Sequence, residues 1–217
     1  MIPMVIATRL PASVRQHLAA LRALLVLTVI VGIAYPLLIT GIAQAVMPGQ
    51  ANGSLMDHGG NPVGSSLLGQ PFADAKGNPL PQWFQPRPSA AVDPLNSSDP
   101  GYNPLFSAAS NLGPTNPDLI KKINDRRAAI ATFDGVAPGE VPPDAVTASA
   151  SGLDPDISPA YAYEQTTRVA KARNLDPATL RALVTDHIRN RVLGILGEPR
   201  VNVLDLNLTL DRLSGAR

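Results

Sequence analysis

From Ala23 to Val46 the chain runs 24 residues without a charge, ALLVLTVIVGIAYPLLITGIAQAV. As a helix rising about 1.5 Å per residue it reaches about 36 Å, enough to cross a hydrocarbon core of about 30 Å with some tilt. Pro36 withdraws one backbone hydrogen bond near the middle, so a kink is expected there. Gly32, Pro36 and Gly41 present little side chain and suit close approach of another membrane helix. A cleaved signal peptide is the competing reading, because Ala43, Gln44 and Ala45 form an Ala-x-Ala site behind basic residues. The run is longer than a signal peptide's apolar stretch of about 7 to 15 residues, so a retained anchor fits it better.

Arg9, Arg15 and Arg22 precede the run, and residues 1–22 carry no acid. Positive charge on one flank orients such a helix with that flank inside. The expected organisation is therefore a cytoplasmic arm at 1–22, a transmembrane helix at 23–46 and an external soluble domain at 47–217. A single-pass protein of the cell inner (plasma) membrane follows, with its N-terminus in the cytoplasm.

The span also accounts for an unusual composition, in which 45% of residues are hydrophobic and only 16% charged. A net charge of +1 gives no field able to gather nucleic acid as a main partner. The absence of cysteine excludes a disulfide framework, a cysteine zinc site and a thiol enzyme.

Beyond the span, residues 48–114 hold 11 prolines and 9 glycines, a pattern of turns with brief strands at most. Leu67, Leu68, Phe72, Trp83, Phe84 and Phe106 supply anchors that a disordered linker lacks. Three helix starts follow, each an Asx or Ser before proline: Asn116 with Pro117, Ser158 with Pro159, and Asp176 with Pro177. The first helix is predicted to end near Phe133 and the second near Arg173, with Asn174 as a left-handed cap. On the third, Leu180, Leu183, Val184, His187 and Ile188 mark a buried face. Leu204, Leu206, Leu208 and Leu210 alternate with polar residues, which predicts a half-buried strand, with a bulge near Val203 or Leu204. The fold class expected is α+β: one membrane helix followed by one turn-rich α+β domain.

Chemistry is sparse. His17, His58 and His187 have no metal-ligand spacing, and His187 reads as a satisfied, half-buried histidine. Neither a nucleophile elbow nor a Walker loop occurs. Asp154 and Asp156, just before a helix, read as carboxylates favouring its positive end. Asp57, Asp74, Asp93 and Asp99 read as ordinary turn acids, with cation screening as the alternative. No metal and no tightly bound cofactor is expected. From the residues alone, this is a membrane-anchored accessory or binding protein.

Specific strings go further: QANGSL at 50–55, GSSLLGQ at 64–70, RPSA at 87–90, YNP at 102–104, VTASASGLD at 146–154, RVAKARN at 168–174 and LNLTLD at 206–211. In this order and spacing the sequence resembles the C subunit of the bacterial Kdp potassium-transporting ATPase. The resemblance implies a non-catalytic subunit of a pump with a channel-like potassium-binding subunit, an ATP-hydrolysing P-type subunit and a small membrane peptide. Potassium would be carried by the complex. It further implies a catalytic chaperone that raises the ATP affinity of the ATPase subunit, and it marks Gln165 for ATP contact. The arginine argument instead puts Gln165 outside the cell, away from ATP, and takes precedence. A membrane-tethered scaffold or binding domain unrelated to transport is the alternative.

Overall fold

The computed structural model describes residues 11–96 and 98–215; Arg9 lies outside them. The charge-free run is helical, and the helix extends beyond it. Helix α1 (Ala12–Leu27), a π-helical stretch (Thr28–Ala34) and α2 (Tyr35–Val46) follow without a break. Together they make 35 residues, long and apolar enough to cross a membrane, with a mean hydropathy of 2.4 over an 18-residue stretch within them. The helix begins at Ala12 rather than Ala23, so Arg15 and Arg22 ride on it. The irregularity expected at Pro36 falls in the turn before it. Pro36 has no N–H to give the Gly32 carbonyl and its ring crowds that oxygen, and the wider π-helical turn accommodates both effects. A short helix α3 (Pro48–Ala51) follows, steadied by paired Gln44 and Asn52 amides at 3.1 Å. This first compact unit ends at Ser54.

The second unit begins at Leu55 with an antiparallel hairpin, β1 (Leu55–His58) and β2 (Asn61–Ser65), whose register shifts between Met56 and Asp57. Among the described residues from there to Asn116, a 3-10 turn at Pro104–Phe106 is the only further helix or strand. The three capping sites lie where the sequence places them. Asn116, Ser158 and Asp176 side chains accept from the N–H groups of Asp118, Tyr161 and Ala178 at 2.8, 3.1 and 3.2 Å. They open α4 (Pro117–Asp134), α6 (Pro159–Glu164) and α8 (Pro177–Asp186). Between α4 and α6 lie a 3-10 turn (Pro138–Glu140), the short α5 (Pro143–Val146) and β3 (Asp156–Ile157). The expected second helix is broken at Gln165 into α6 and α7 (Thr166–Arg173), and Asn174 ends it at φ 53°, left-handed as its asparagine allows.

The C-terminal reading needs correction. Strand β5 (Arg200–Asn202) stops where the leucine alternation begins, and Val203–Gly215 form helix α9. Val203, Leu206, Asn207 and Leu210 share one helical face, Leu204 and Leu208 another, and all six are buried. A helix enclosed on two sides mimics the period of a strand.

Strand β5 sits between β3 and β4 (Ile188–Arg189), antiparallel to both, so Val201 lies opposite Ile157 and Ile188. One core joins this sheet to α6–α9 and to Phe84 from the turn-rich region. Phe84, Leu180, Val184, Leu206 and Leu210 are fully buried, and each such side chain stabilises by about 1.5–3 kcal/mol.

Candidate functional site

Residues from several of the sequence strings converge on two junctions in the second unit. Both fix stretches of turn-rich backbone that have no strand partner.

The first joins RPSA, YNP and VTASASGLD. Arg87 Nη1 donates to Asp154 Oδ2 at 2.9 Å, while Nε and Nη2 donate to the Thr147 carbonyl. Ser89 Oγ donates to the Gly152 carbonyl at 2.7 Å and accepts from Tyr102 N–H at 2.9 Å. The Tyr102 hydroxyl closes the circuit on the Arg87 carbonyl at 2.8 Å. Gly152 is required here twice over. Its φ is +70°, and a Cβ would stand 2.7 Å from both the Ala108 carbonyl and the Ala91 nitrogen.

The second junction is built around Pro81–Gln85. Gln165 is fully buried at the break between α6 and α7. Its Oε1 accepts from Gln85 N–H at 2.6 Å and its Nε2 donates to the Gln85 carbonyl at 3.1 Å. Asn207 of α9 grips Phe84 in the same way, accepting from its N–H and donating to its carbonyl, both at 2.9 Å. Arg168 donates from Nη1 to the Pro81 and Trp83 carbonyls at 2.6 and 2.9 Å, and from Nη2 to Gln165 Oε1 at 2.6 Å. Its Nε pairs with the buried Asp134, and the Phe133 ring lies 4.4 Å from its guanidinium carbon. Arg173 takes the Gln82 carbonyl at 2.8 Å and stacks on Trp83. Four side chains thus satisfy backbone groups that a sheet would otherwise pair, which is what burial of irregular backbone demands.

Glu164 stands beside this junction with both carboxyl oxygens buried, next to the Asp134 carboxylate. Burial first, and the nearby Asp134 second, push its pKa up to about 8, against the pull of Arg168.

Gln165 therefore presents no free amide edge to a nucleotide in this conformation. Beside the junctions lies a cavity of about 250 Å³ lined by Pro79, Gln85, Arg87, Tyr102, Phe133 and Tyr161. It is small against the range of about 300–1,000 Å³ typical of ligand sites. A larger pocket of about 630 Å³ over Asp134, Gly135, Thr167 and Lys171 includes Arg168, whose Nε, Nη1 and Nη2 already donate to Asp134, the Pro81 carbonyl and Gln165.

The remaining candidates find ordinary partners. Asp154 and Asp156 do not cap α6, because Arg87 and Arg200 hold them at 2.9 Å each. The residue that does back the cap is Asp144, which accepts from Ser158 N–H and Oγ at 2.7 and 2.8 Å. Asp74 and Asp99 accept three hydrogen bonds each within their turns, and these bonds hold both carboxyls below the usual range. His187 bonds the Leu183 carbonyl and Thr209 Oγ1, His58 lies 3.4 Å from Asp211, and His17 bonds the Ser13 carbonyl. Among the described residues, no group of three histidines or acids could hold a metal.

In the first unit, Gly32 and Gly41 are nine positions apart, which at about 100° per residue leaves them roughly on opposite sides of the helix. One partner helix cannot rest on both. Gly32 and Pro36, four positions apart, share a face.

Arg168, Arg173 and Asn207 were not legible as a set, although polar side chains inside otherwise buried helical faces were the available signal. Their common target, Pro81–Gln85, carries no motif. It lies 80 or more positions before these residues in the chain.

Comparison with known proteins gives the context for these junctions. The family model described as K+-transporting ATPase, c chain, matches residues 17–212. The potassium-transporting ATPase KdpC subunit of Kineococcus radiotolerans is 51% identical, with 90% of this chain and 93% of that protein covered. The KdpC subunit of Geobacter metallireducens is 50% identical, covering 90% and 96%, and that of Streptomyces coelicolor 45% identical, covering 95% and 96%. The chain therefore belongs to the KdpC family, the c chain of the K+-transporting ATPase, an accessory subunit of the potassium pump.

Proposed function

We propose that this subunit works as a rigid external domain, held to the cell membrane by a single span, that tunes the pump through contacts with other subunits rather than by holding nucleotide. The observation that carries this reading is the Gln165 amide, whose oxygen and nitrogen are both committed to Gln85 and whose oxygen also takes Arg168. A group so engaged must leave its partners unsatisfied before it can meet ATP. Its role is to lock the turn-rich segment against α6 and α7. A domain of this kind can raise the nucleotide affinity of an ATP-hydrolysing subunit through a shared conformational equilibrium, since coupling needs differential contacts and not proximity.

The partners are the channel-like potassium-binding subunit, the ATP-hydrolysing subunit and the small membrane peptide, with potassium carried by the assembly. Gly32 with Pro36, and Gly41 separately, serve two different helix contacts in the membrane.

ATP titrated into the full-length chain in detergent tests the reading by calorimetry. No saturable, Gln165-dependent heat is expected. Gln165→Ala strands the buried Gln85 N–H and carbonyl, at about 2–4 kcal/mol in all. The melting temperature should fall by about 5–15 °C, and recovery of the pump on co-purification should fall with it. Saturable ATP binding that disappears in Gln165→Ala without a loss of melting temperature would sink the proposal.

A further inference from the structure

One side of helix α4 mixes cations with apolar residues. Leu119, Lys122, Ile123 and Arg126, spaced i, i+3, i+4 and i+7, lie along it and line a pocket of about 440 Å³. Val92 and Leu112 add apolar wall, and Ser110 adds a hydroxyl. The volume falls within the range of about 300–1,000 Å³ typical of ligand sites, whose walls are likewise apolar with a few polar groups.

All the charge on this lining has one sign, two cations and no carboxylate. Lys121, the neighbour of Lys122, is neutralised by Asp125 at 2.6 Å. Among the described residues, neither Lys122 nor Arg126 is paired with a carboxylate. Arg126 gives Nη1 to the Val146 carbonyl at 3.1 Å, and among the described residues its other donors meet no acceptor. It is half-buried, and burial pushes its pKa down. Elsewhere in this unit a guanidinium withdrawn from water has an acid beside it, as Arg168 has Asp134 and Arg87 has Asp154. Arg126 lacks one, and a charge left uncompensated in this way is costly. An anion entering the pocket would supply what the chain does not.

We infer that this pocket binds a small organic phosphate monoester, with its head against Arg126 and Lys122 and its carbon chain against Leu119, Ile123, Val92 and Leu112. Two cations match the charge of about −1.5 to −2 that a phosphate monoester carries. A planar guanidinium fork beside a compact ammonium suits its several acceptor oxygens. An inorganic ion would leave the apolar wall unfilled. A nucleotide is the poorer fit, because among the described residues no aromatic ring lines the pocket to stack a base. The site uses no residue of the second junction and stands apart from the role of Gln165.

Soluble and lipid phosphate monoesters share this head, so the test includes a probe for each. The full-length chain, in non-ionic detergent and phosphate-free buffer, would be titrated by calorimetry with butyl phosphate, inorganic phosphate and sulfate. Saturable binding of butyl phosphate is expected, at least about tenfold tighter than either inorganic ion, as burial of about two methylenes would give. Arg126→Gln and Lys122→Gln should each weaken it about ten- to a hundred-fold, whereas Lys121→Gln, which removes a paired cation, should leave it unchanged. Without ligand, Arg126→Gln should melt no lower than the wild type, since it keeps an amide donor for Val146 and removes an uncompensated charge. Displacement of butyl phosphate by dihexanoyl phosphatidic acid would name a lipid as the source of the head, and failure to displace it a soluble compound. Absence of saturable binding would overturn the inference, as would binding that survives both pocket substitutions. Sulfate bound as tightly as butyl phosphate would show an adventitious ion only. Binding lost together with a lowered ligand-free melting temperature in both variants would trace the effect to folding and overturn the site as well.

Discussion

Gln165, Asn207 and Arg168 show how much of this fold depends on single polar side chains placed inside it. Each serves backbone that has no strand beside it, and each is buried so completely that removing it strands its partners. The resemblance marked Gln165 from sequence alone, but nothing in the chain around it says that its amide is spoken for by Gln85, 80 residues earlier. The neighbouring Glu164 carries a consequence for pH. Its folded pKa of about 8 lies above the usual carboxyl value, so the folded state holds this proton more tightly than the unfolded chain does. The stability it contributes is complete below about pH 4.5 and is lost as pH rises through about 8. The groups facing it are Asp134, Asp144 and Arg168, so the charge that appears on deprotonation meets two carboxylates and one guanidinium. Melting curves between pH 5 and 9 should fall more steeply for the wild type than for Glu164→Gln, which cannot ionise. Parallel curves would show that Glu164 is already charged at neutral pH.

At the level of elements, the sequence is most legible where local chemistry decides the outcome. An Asx or Ser before proline sets three helix starts, and each cap is made. The charge-free run sets the membrane-length helix, although its beginning at Ala12 was hidden by Arg15 and Arg22, which a helix end tolerates outside the apolar core. Helix α9 was illegible for a physical reason, since enclosure on two sides puts leucines at both strand and helix spacings. The two readings differ sharply at Asn207. On a half-buried strand it would face water, and Asn207→Leu would be nearly neutral. On α9 it holds Phe84 by both backbone groups, so Asn207→Leu should destabilise the domain by about 2–4 kcal/mol despite its added hydrophobicity. Urea unfolding of the full chain in detergent measures the difference, and a change below about 0.5 kcal/mol, the range of ordinary surface substitutions, would favour the strand.

For the whole molecule, the chain divides at Ser54 into a helical unit and an α+β unit, and the proposed orientation rests on charge. The α+β unit was only partly legible, because the turn-rich stretch is ordered by contacts from α6, α7 and α9 that no local pattern encodes. Arg15 and Arg22 lie on α1 before the uncharged stretch, with Arg9 further upstream, whereas residues 47–56 beyond it carry no charge. Moving arginines across a bilayer is far costlier than keeping them on the side of synthesis, so the N-terminal flank should stay in the cytoplasm and the α+β unit should be exported. Cysteines at Ser13 and Ser98 convert this into a measurement, since the native chain offers no competing thiol. In intact cells an impermeant maleimide is expected to label position 98 and spare position 13, and permeabilisation should expose both. Labelling of position 13 alone before permeabilisation would invert the protein in the membrane. It would return Gln165 to the side where ATP is found, and the proposal that the subunit tunes the pump from outside would fall.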